Sequence, residues 1–286
     1  MNTALLGLIA ALSWGLHDFF ARFPSRAVGP IPTVLAVTVA GLIALSAWML
    51  LAGDAPKVIW PQLLLVIVTG VFFTLATLAL FAGLAAGPIS IVAPIAGSYP
   101  ALAMILAVAQ GARPSLAQWA AIGAVMVGVA IVSRSGGRYE DSGELAPGTL
   151  KTLLGLAFVA SFCFAVALTA GQAAVPVFGE IETIWRARCF GLITILVLYL
   201  WRTPGAGVPL GWLPLLGLMG CLDVIALGTI TAAGNWPSPE FATVVSSAFG
   251  AITVVLARVF LKEEIAPVQA GGMVLIFGGV AVLAGL

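Results

Sequence analysis

Ten apolar segments run along these 286 residues, and the second five repeat the pattern of the first five. Over much of the chain the offset is 151 residues: Gly83 matches Gly234, Pro88 matches Pro239, Gln118 matches Gln269, and Gly128-Val129 matches Gly279-Val280. Near the start, Leu5-Leu6-Gly7-Leu8 recurs as Leu153-Leu154-Gly155-Leu156 and Ser13 as Ser161, at an offset of 148. If every segment crosses a membrane, five crossings per unit leave the second unit upside down relative to the first. Inverted repeats of this kind build secondary transporters, with the substrate held near the bilayer midplane between the halves.

The membrane reading follows from composition. Hydrophobic residues make up 62% of the chain and charged residues 8%, whereas a soluble domain carries about 25% charged residues. Too little polar surface is left to face water. A spanning helix needs roughly 20 apolar residues, which places spans at 3–20, 31–52, 62–86, 88–109, 116–133, 150–171, 182–201, 212–234, 238–260 and 266–286. A membrane barrel would alternate apolar and polar residues, and runs such as Leu63 to Val68 do not. The expected fold is all-α: a polytopic membrane protein of ten transmembrane helices in two inverted five-helix repeats. The first repeat covers 1–133, a polar linker 134–149 and the second repeat 150–286. The start, Met-Asn-Thr, has no basic n-region, so the first segment is expected to persist as a span rather than be cleaved.

A net charge of +1 gives no grip on nucleic acid. The expected partners are a small-molecule substrate, the lipid bilayer and, as a coupling ion, protons. Cys163, Cys189 and Cys221 fall inside spans with no Cys-x-x-Cys spacing, so neither a disulfide nor a metal is indicated. No cofactor is implied, and no phosphate loop or nucleophile triad points to an enzyme.

Local signals fix the helix ends and contacts. Ser115 to Gln118 matches a capping box at the start of the fifth span, and Pro267 suits the first turn of the tenth. Gly7, Ala11 and Gly15, and Ala120, Ala124 and Gly128, form small-residue stripes that permit close helix approach in lipid. The fourth span carries Pro94 and Pro100 with Gly97 between. Each proline removes a backbone donor and frees a carbonyl one turn earlier, so this span either kinks or breaks beside a cavity.

Ionisable groups inside a membrane are expensive, and each is a candidate for function. The first span ends with Trp14, His17, Asp18 and Arg22, of which Asp18 and Arg22 have i, i+4 spacing for a pair. His17, the only histidine, can bind a carboxylate or relay protons. The seventh span opens with Glu182 and Arg186, also i, i+4, then Trp185 and Arg188. Arg188 has no such partner in sequence, and a guanidinium beside a tryptophan suits an anionic group with an apolar body. Asp223 lies eleven residues into the eighth span, with Phe72 as its repeat counterpart. It reads either as a proton-binding group or as the other half of a salt bridge, for instance to Arg188. Ser98 and Tyr99 on the fourth span, and Ser246 and Ser247 on the ninth, add hydroxyls on two helices that are repeat mates. Asn235 and Trp236 end the eighth span, and Glu240 opens the ninth near a helix N-terminus, where a carboxylate is favoured. Arg258, Lys262, Glu263 and Glu264 close the ninth and are expected at the surface.

Ser13-Trp14-Gly15, the run Ala82 to Pro88 and the joint Leu261-Lys262-Glu263-Glu264-Ile265-Ala266-Pro267-Val268-Gln269 resemble the drug/metabolite transporter superfamily, in its bacterial branch of two EamA-type repeats. The joint resembles Leu-Gly-Glu-x-x-x-x-x-Gln, with Lys262 where the pattern has glycine. In the first repeat Gly111-Ala112-Arg113 stands where an acid is common. The resemblance implies a transporter similar to exporters of amino acids and other small metabolites, in a family that also contains importers and carriers for nucleobases, cations and nucleotide-linked compounds, with a cavity between spans one to four and six to nine. It also implies termini on the cytoplasmic side. Loop charge implies the reverse, because Arg22, Arg26, Arg134, Arg138, Lys151, Arg202, Arg258 and Lys262 fall opposite the termini, and Lys57 and Arg113 beside them.

The expected function is alternating-access transport of a small, amino-acid-like or zwitterionic metabolite across an inner membrane, coupled to protons through Asp223 or His17. Trp14, His17, Asp18, Ser98, Tyr99, Trp185, Arg188, Asp223, Ser246 and Ser247 are the candidate binding residues. The alternatives are an exporter of organic cations or nucleobases, and a membrane-embedded enzyme or lipid-handling protein.

Overall fold

The structure is a computed structural model that describes residues 3–52, 63–109, 113–135, 146, 148–233, 246 and 248–285. Asn235, Trp236, Glu240, Ser247 and most of the 134–149 linker lie outside the described residues. Among the described residues there is helix and no strand. The helices are α1 (Thr3–Val28), α2 (Pro30–Ala52), α3 (Leu63–Ala86), α4 (Ile89–Ala96), α5 (Tyr99–Ala109), α6 (Leu116–Ser135), α7 (Thr149–Phe178), α8 (Glu180–Arg202), α9 (Leu213–Ala233), α10 (Phe249–Leu256) and α11 (Pro267–Gly285). A π-turn, Ala257–Leu261, extends α10. Among the described residues six helices are long and apolar enough to cross a bilayer, and shorter apolar ones accompany them. Their outer faces carry exposed Leu50, Leu51, Trp48, Leu200 and Trp201, a surface suited to lipid rather than water. The protein is a polytopic, all-α membrane protein.

Packing follows a two-fold pattern. α3 lies on α7 and α8, while α9 lies on α1 and α2; α1 meets α10 as α7 meets α4; and α6 pairs with α11. Exchanging α1, α2 and α3 for α7, α8 and α9 reproduces the same contacts. Two glycine crossings show why the backbones come so close. A Cβ built on Gly70 of α3 would stand 2.1 Å from the Ala187 carbonyl and 3.0 Å from Gly191 N on α8. A Cβ on Gly220 of α9 would stand 2.7 Å from Gly41 N on α2. Gly70 maps to Gly220, and Gly41 to Gly191, at an offset of 150. The repeat therefore slips by one residue before Gly83, and the counterpart of Asp223 is Phe73, not Phe72.

The small-residue stripe of α1 is buried at Gly7, Ala11 and Gly15. On α6 the packed face is displaced by one position. Ala121, Val125 and Gly128 are buried, whereas Ala120 is exposed. Gly128 approaches Gly272 of α11, whose carbonyl would lie 2.6 Å from an added Cβ. The capping box forms as expected, with Ser115 N–H donating to Gln118 Oε1 (2.8 Å) and Gln118 N–H to Ser115 Oγ (3.3 Å).

The fourth span breaks at Gly97-Ser98 into α4 and α5. Its freed carbonyls find partners, as they must away from water. Ile95 O accepts from both Ser98 N (3.2 Å) and Ser98 Oγ (2.6 Å). Pro94 cannot donate to Ser90 O, and Gln269 Nε2 of α11 does so instead at 3.0 Å. Pro100 sits in the first turn of α5, where its missing N–H costs nothing.

Between α10 and α11, Lys262 adopts φ 57° and ψ 29°, and it is the one non-glycine residue with positive φ among the described residues. This left-handed position explains the glycine of the joint pattern, because a Cβ there costs about 1–2 kcal/mol. Lys262→Gly is therefore expected to raise stability by about 1 kcal/mol, read as a higher unfolding temperature in detergent. An unchanged or lowered temperature would mean that the lysine side chain offsets the strain.

Candidate functional site

Between the two halves lies a cavity of about 220 Å³. α1 contributes Trp14, His17 and Asp18; α2 Val34, Val37 and Thr38; α3 Thr69, Phe73, Thr74 and Thr77; α5 Tyr99; α7 Phe164 and Leu168; α8 Thr183 and Arg188; α9 Asp223; and α10 Phe249. Its charges come from three helices only, α1, α8 and α9.

Asp223 is the hub of that charged wall. Its Oδ1 accepts from Trp14 Nε1 at 3.0 Å, and its Oδ2 accepts from Arg188 Nη2 in a buried ion pair. Trp14 in turn packs edge-on against Phe249, ring centroids 6.0 Å apart. Arg188 is therefore not unpaired, and the salt-bridge reading of Asp223 is the one the structure shows. Gly41 makes room for the guanidinium, since a Cβ there would stand 2.6 Å from Arg188 Nη1. Arg188 Nε is buried and has no partner among the described residues.

The second charged element is local. His17 Nδ1 donates to Asp18 Oδ1 at 2.9 Å, and both side chains are buried. His17 Nε2 is left buried without a partner among the described residues. The sequence spacing suggested that Asp18 pairs with Arg22, and the structure corrects this. Arg22 Nη1 bonds Glu263 Oε1 at 2.5 Å, across the two halves of the chain. Glu263 is thereby part-buried, with 9% side-chain exposure, rather than set at the surface. The expected Glu182–Arg186 pair does form, with Arg186 Nε 2.9 Å from Glu182 Oε1.

Of the candidate residues, Trp14, His17, Asp18, Tyr99, Arg188 and Asp223 line the cavity. Ser98 does not: it is spent on the helix break and lies 3.3 Å from Ser161 Oγ. Trp185 turns away to α2, its Nε1 donating to Ser46 Oγ at 2.9 Å. Ser246 is buried but outside the lining. The sequence reading missed the wall built from α2, α3 and α7. It carries Phe73 and Phe164, with ring centroids 5.5 Å apart, and Phe164 meets the expected Tyr99 of α5 at 6.0 Å. Thr38 belongs to it, and so do Thr69 and Thr77, whose hydroxyls bond their own i−4 carbonyls and so present methyl groups. The available signal was the 150-residue register, which maps Arg188 onto Thr38 and Asp223 onto Phe73.

The comparisons with known proteins agree with this architecture. No curated relative matches the chain. A solved structure described only as a crystal structure of a protein is similar in fold, with a TM-score of 0.64 and 18% sequence identity over 98% of this chain and 97% of its own. The profile of the EamA-like transporter family matches residues 1–134 and again residues 151–285. The two matches together take in nearly the whole chain, and the protein belongs to the EamA-like transporter family.

Proposed function

We propose that this protein moves a small zwitterionic, amino-acid-like metabolite across a bacterial inner membrane by alternating access, with protons as the coupling ion. One observation carries the reading: the cavity has a charged wall and, related to it by the repeat, an uncharged one. Arg188, Asp223 and Asp18 supply both signs of charge, for a carboxylate and an amine. Thr38, Phe73, Phe164 and Leu168 supply contact for an apolar body. A cavity of about 220 Å³ suits a metabolite rather than a drug-sized ligand, for which pockets of ~300–1,000 Å³ are usual. Arg188 and Asp223 neutralise each other when the site is empty. A substrate carboxylate that takes over the guanidinium releases Asp223, which is then free to accept an amine or a proton, and the two binding events become linked.

The second reading is an organic-cation exporter. It is favoured by the excess of acids, since Asp18 and Asp223 face the single Arg188 among the lining residues described, and by Trp14 and Phe249 as cation-binding rings. A thermal-shift screen of the purified protein separates the two. At about 100 times its Kd a ligand adds ~2.7 kcal/mol, a rise of several degrees. Amino-acid-like zwitterions are expected to give that rise and quaternary ammonium compounds to give none. The reverse pattern would replace the zwitterion with a cation.

A further inference from the structure

We propose that Glu263, with Arg22 and the N-terminus of α4, forms the gate that closes the cavity at the end away from the chain termini, and that its opening is an obligatory step of transport. The inference rests on the transport reading above but concerns residues outside the cavity.

The contacts converge on one carboxylate. Glu263 Oε1 accepts from Ile89 N–H at 3.0 Å and from Arg22 Nη1 at 2.5 Å, and Oε2 accepts from Ser90 N–H at 3.0 Å. Ile89 and Ser90 open α4, so the carboxylate satisfies two of the orphan N–H groups at that helix start and sits at the positive end of its dipole. Glu263 belongs to the second half of the chain, and its three donors belong to the first. Gln269 adds a fourth tie across the same boundary through Ser90 O.

Position makes this a gate rather than a general clamp. On α1, Asp18 lines the cavity and Arg22 follows four residues later, ~6 Å further along the helix. On α2, Val34 lines the cavity four residues after the helix begins at that same end. No residue of α4 is among the lining and every one is buried, so packed helix rather than cavity lies at this end. At the other end the lining runs to Val175 and Thr183, beside the turn from α7 to α8. The captured state is thus closed at the Glu263 end. The segment that leads into Glu263 is also irregular: a π-turn runs up to Leu261, and the left-handed Lys262 follows it directly. A π-turn and a strained residue are devices by which a helix end absorbs a change of backbone angle.

The test reads access to the cavity from the gated face. Thr77→Cys, at a half-buried lining position of α3, is placed in a chain whose three cysteines, Cys163, Cys189 and Cys221, are replaced by alanine. Sealed vesicles of known orientation expose the face opposite the termini to a membrane-impermeant maleimide. Labelling is expected to be slow with Glu263 present and about tenfold faster with Glu263→Gln, equivalent to ~1.4 kcal/mol lost from the closed state. Arg22→Gln serves as a second variant, because it removes the ion pair while leaving Glu263 on α4, and it is expected to give an intermediate rate. Equal labelling in both variants, in protein that melts within a few degrees of the parent, overturns the gate. The parent's own transport keeps the two claims apart: flux with unchanged labelling sinks the gate alone, and absence of flux sinks the transport reading.

Discussion

Arg188→Ala is expected to abolish transport and to lower stability by about 3–5 kcal/mol, the usual cost of stranding one member of a buried ion pair. The stranded group is Asp223, which would keep only the Trp14 indole as a donor. Replacing both partners by apolar residues of similar volume, Arg188→Met with Asp223→Leu, is expected to restore most of that stability, since a well-packed apolar replacement for a buried pair is close to neutral. Transport should not return in the double variant. Arg188→Lys separates charge from shape. The ammonium can still neutralise Asp223, so the fold should hold, but it loses the planar fork that engages a carboxylate and Asp223 together. Flux should fall at least tenfold in the lysine variant. Normal flux there would reduce Arg188 to a point charge, and an alanine variant as stable as the parent would mean that water reaches Asp223.

Asp223→Asn is expected to uncouple the protein. The amide resembles the protonated acid in shape and still accepts from Trp14 Nε1, but it no longer holds Arg188 by charge. The empty site is then not self-neutralised, and a substrate carboxylate meets a freer guanidinium. Exchange of labelled for unlabelled substrate should continue at a comparable rate, while uphill accumulation driven by a pH gradient should disappear. The same assay on His17→Gln tests the cavity's histidine, which is bonded to Asp18. Uphill transport that survives in Asp223→Asn and fails in His17→Gln would move the coupling role to the His17–Asp18 pair.

The fold was legible because lipid imposes strict rules on a sequence. Span length, the internal repeat and the odd number of segments each constrain the architecture, and the proline-rich fourth span carried its own warning of a break. Half of the site was legible for a related reason, since a charge inside an apolar run stands out. The pairing of those charges was not legible. Spacing of i, i+4 favours Asp18 with Arg22, yet Arg22 is drawn to Glu263, 241 residues away, and Asp18 turns to its neighbour His17. Only the meeting of the two halves decides between such partners. The uncharged wall stayed hidden because Thr38, Phe73 and Phe164 look like any other residues of a membrane helix. A repeat register wrong by one residue pointed to Phe72 and concealed the relation. The serines misled in the opposite sense: Ser98 is polar in an apolar helix, but it serves the broken backbone and not the cavity.

If the cavity between the repeats is a path for an intact solute, flux through a sealed membrane must reveal it. The purified protein is reconstituted into proteoliposomes loaded with an unlabelled zwitterionic amino acid, and uptake of the labelled compound is followed. Counterflow is expected that is absent from empty liposomes, is lost in Arg188→Ala, and delivers the label chemically unchanged. No counterflow of any zwitterion by a protein that moves organic cations, or a label recovered as a different compound, would contradict such a path.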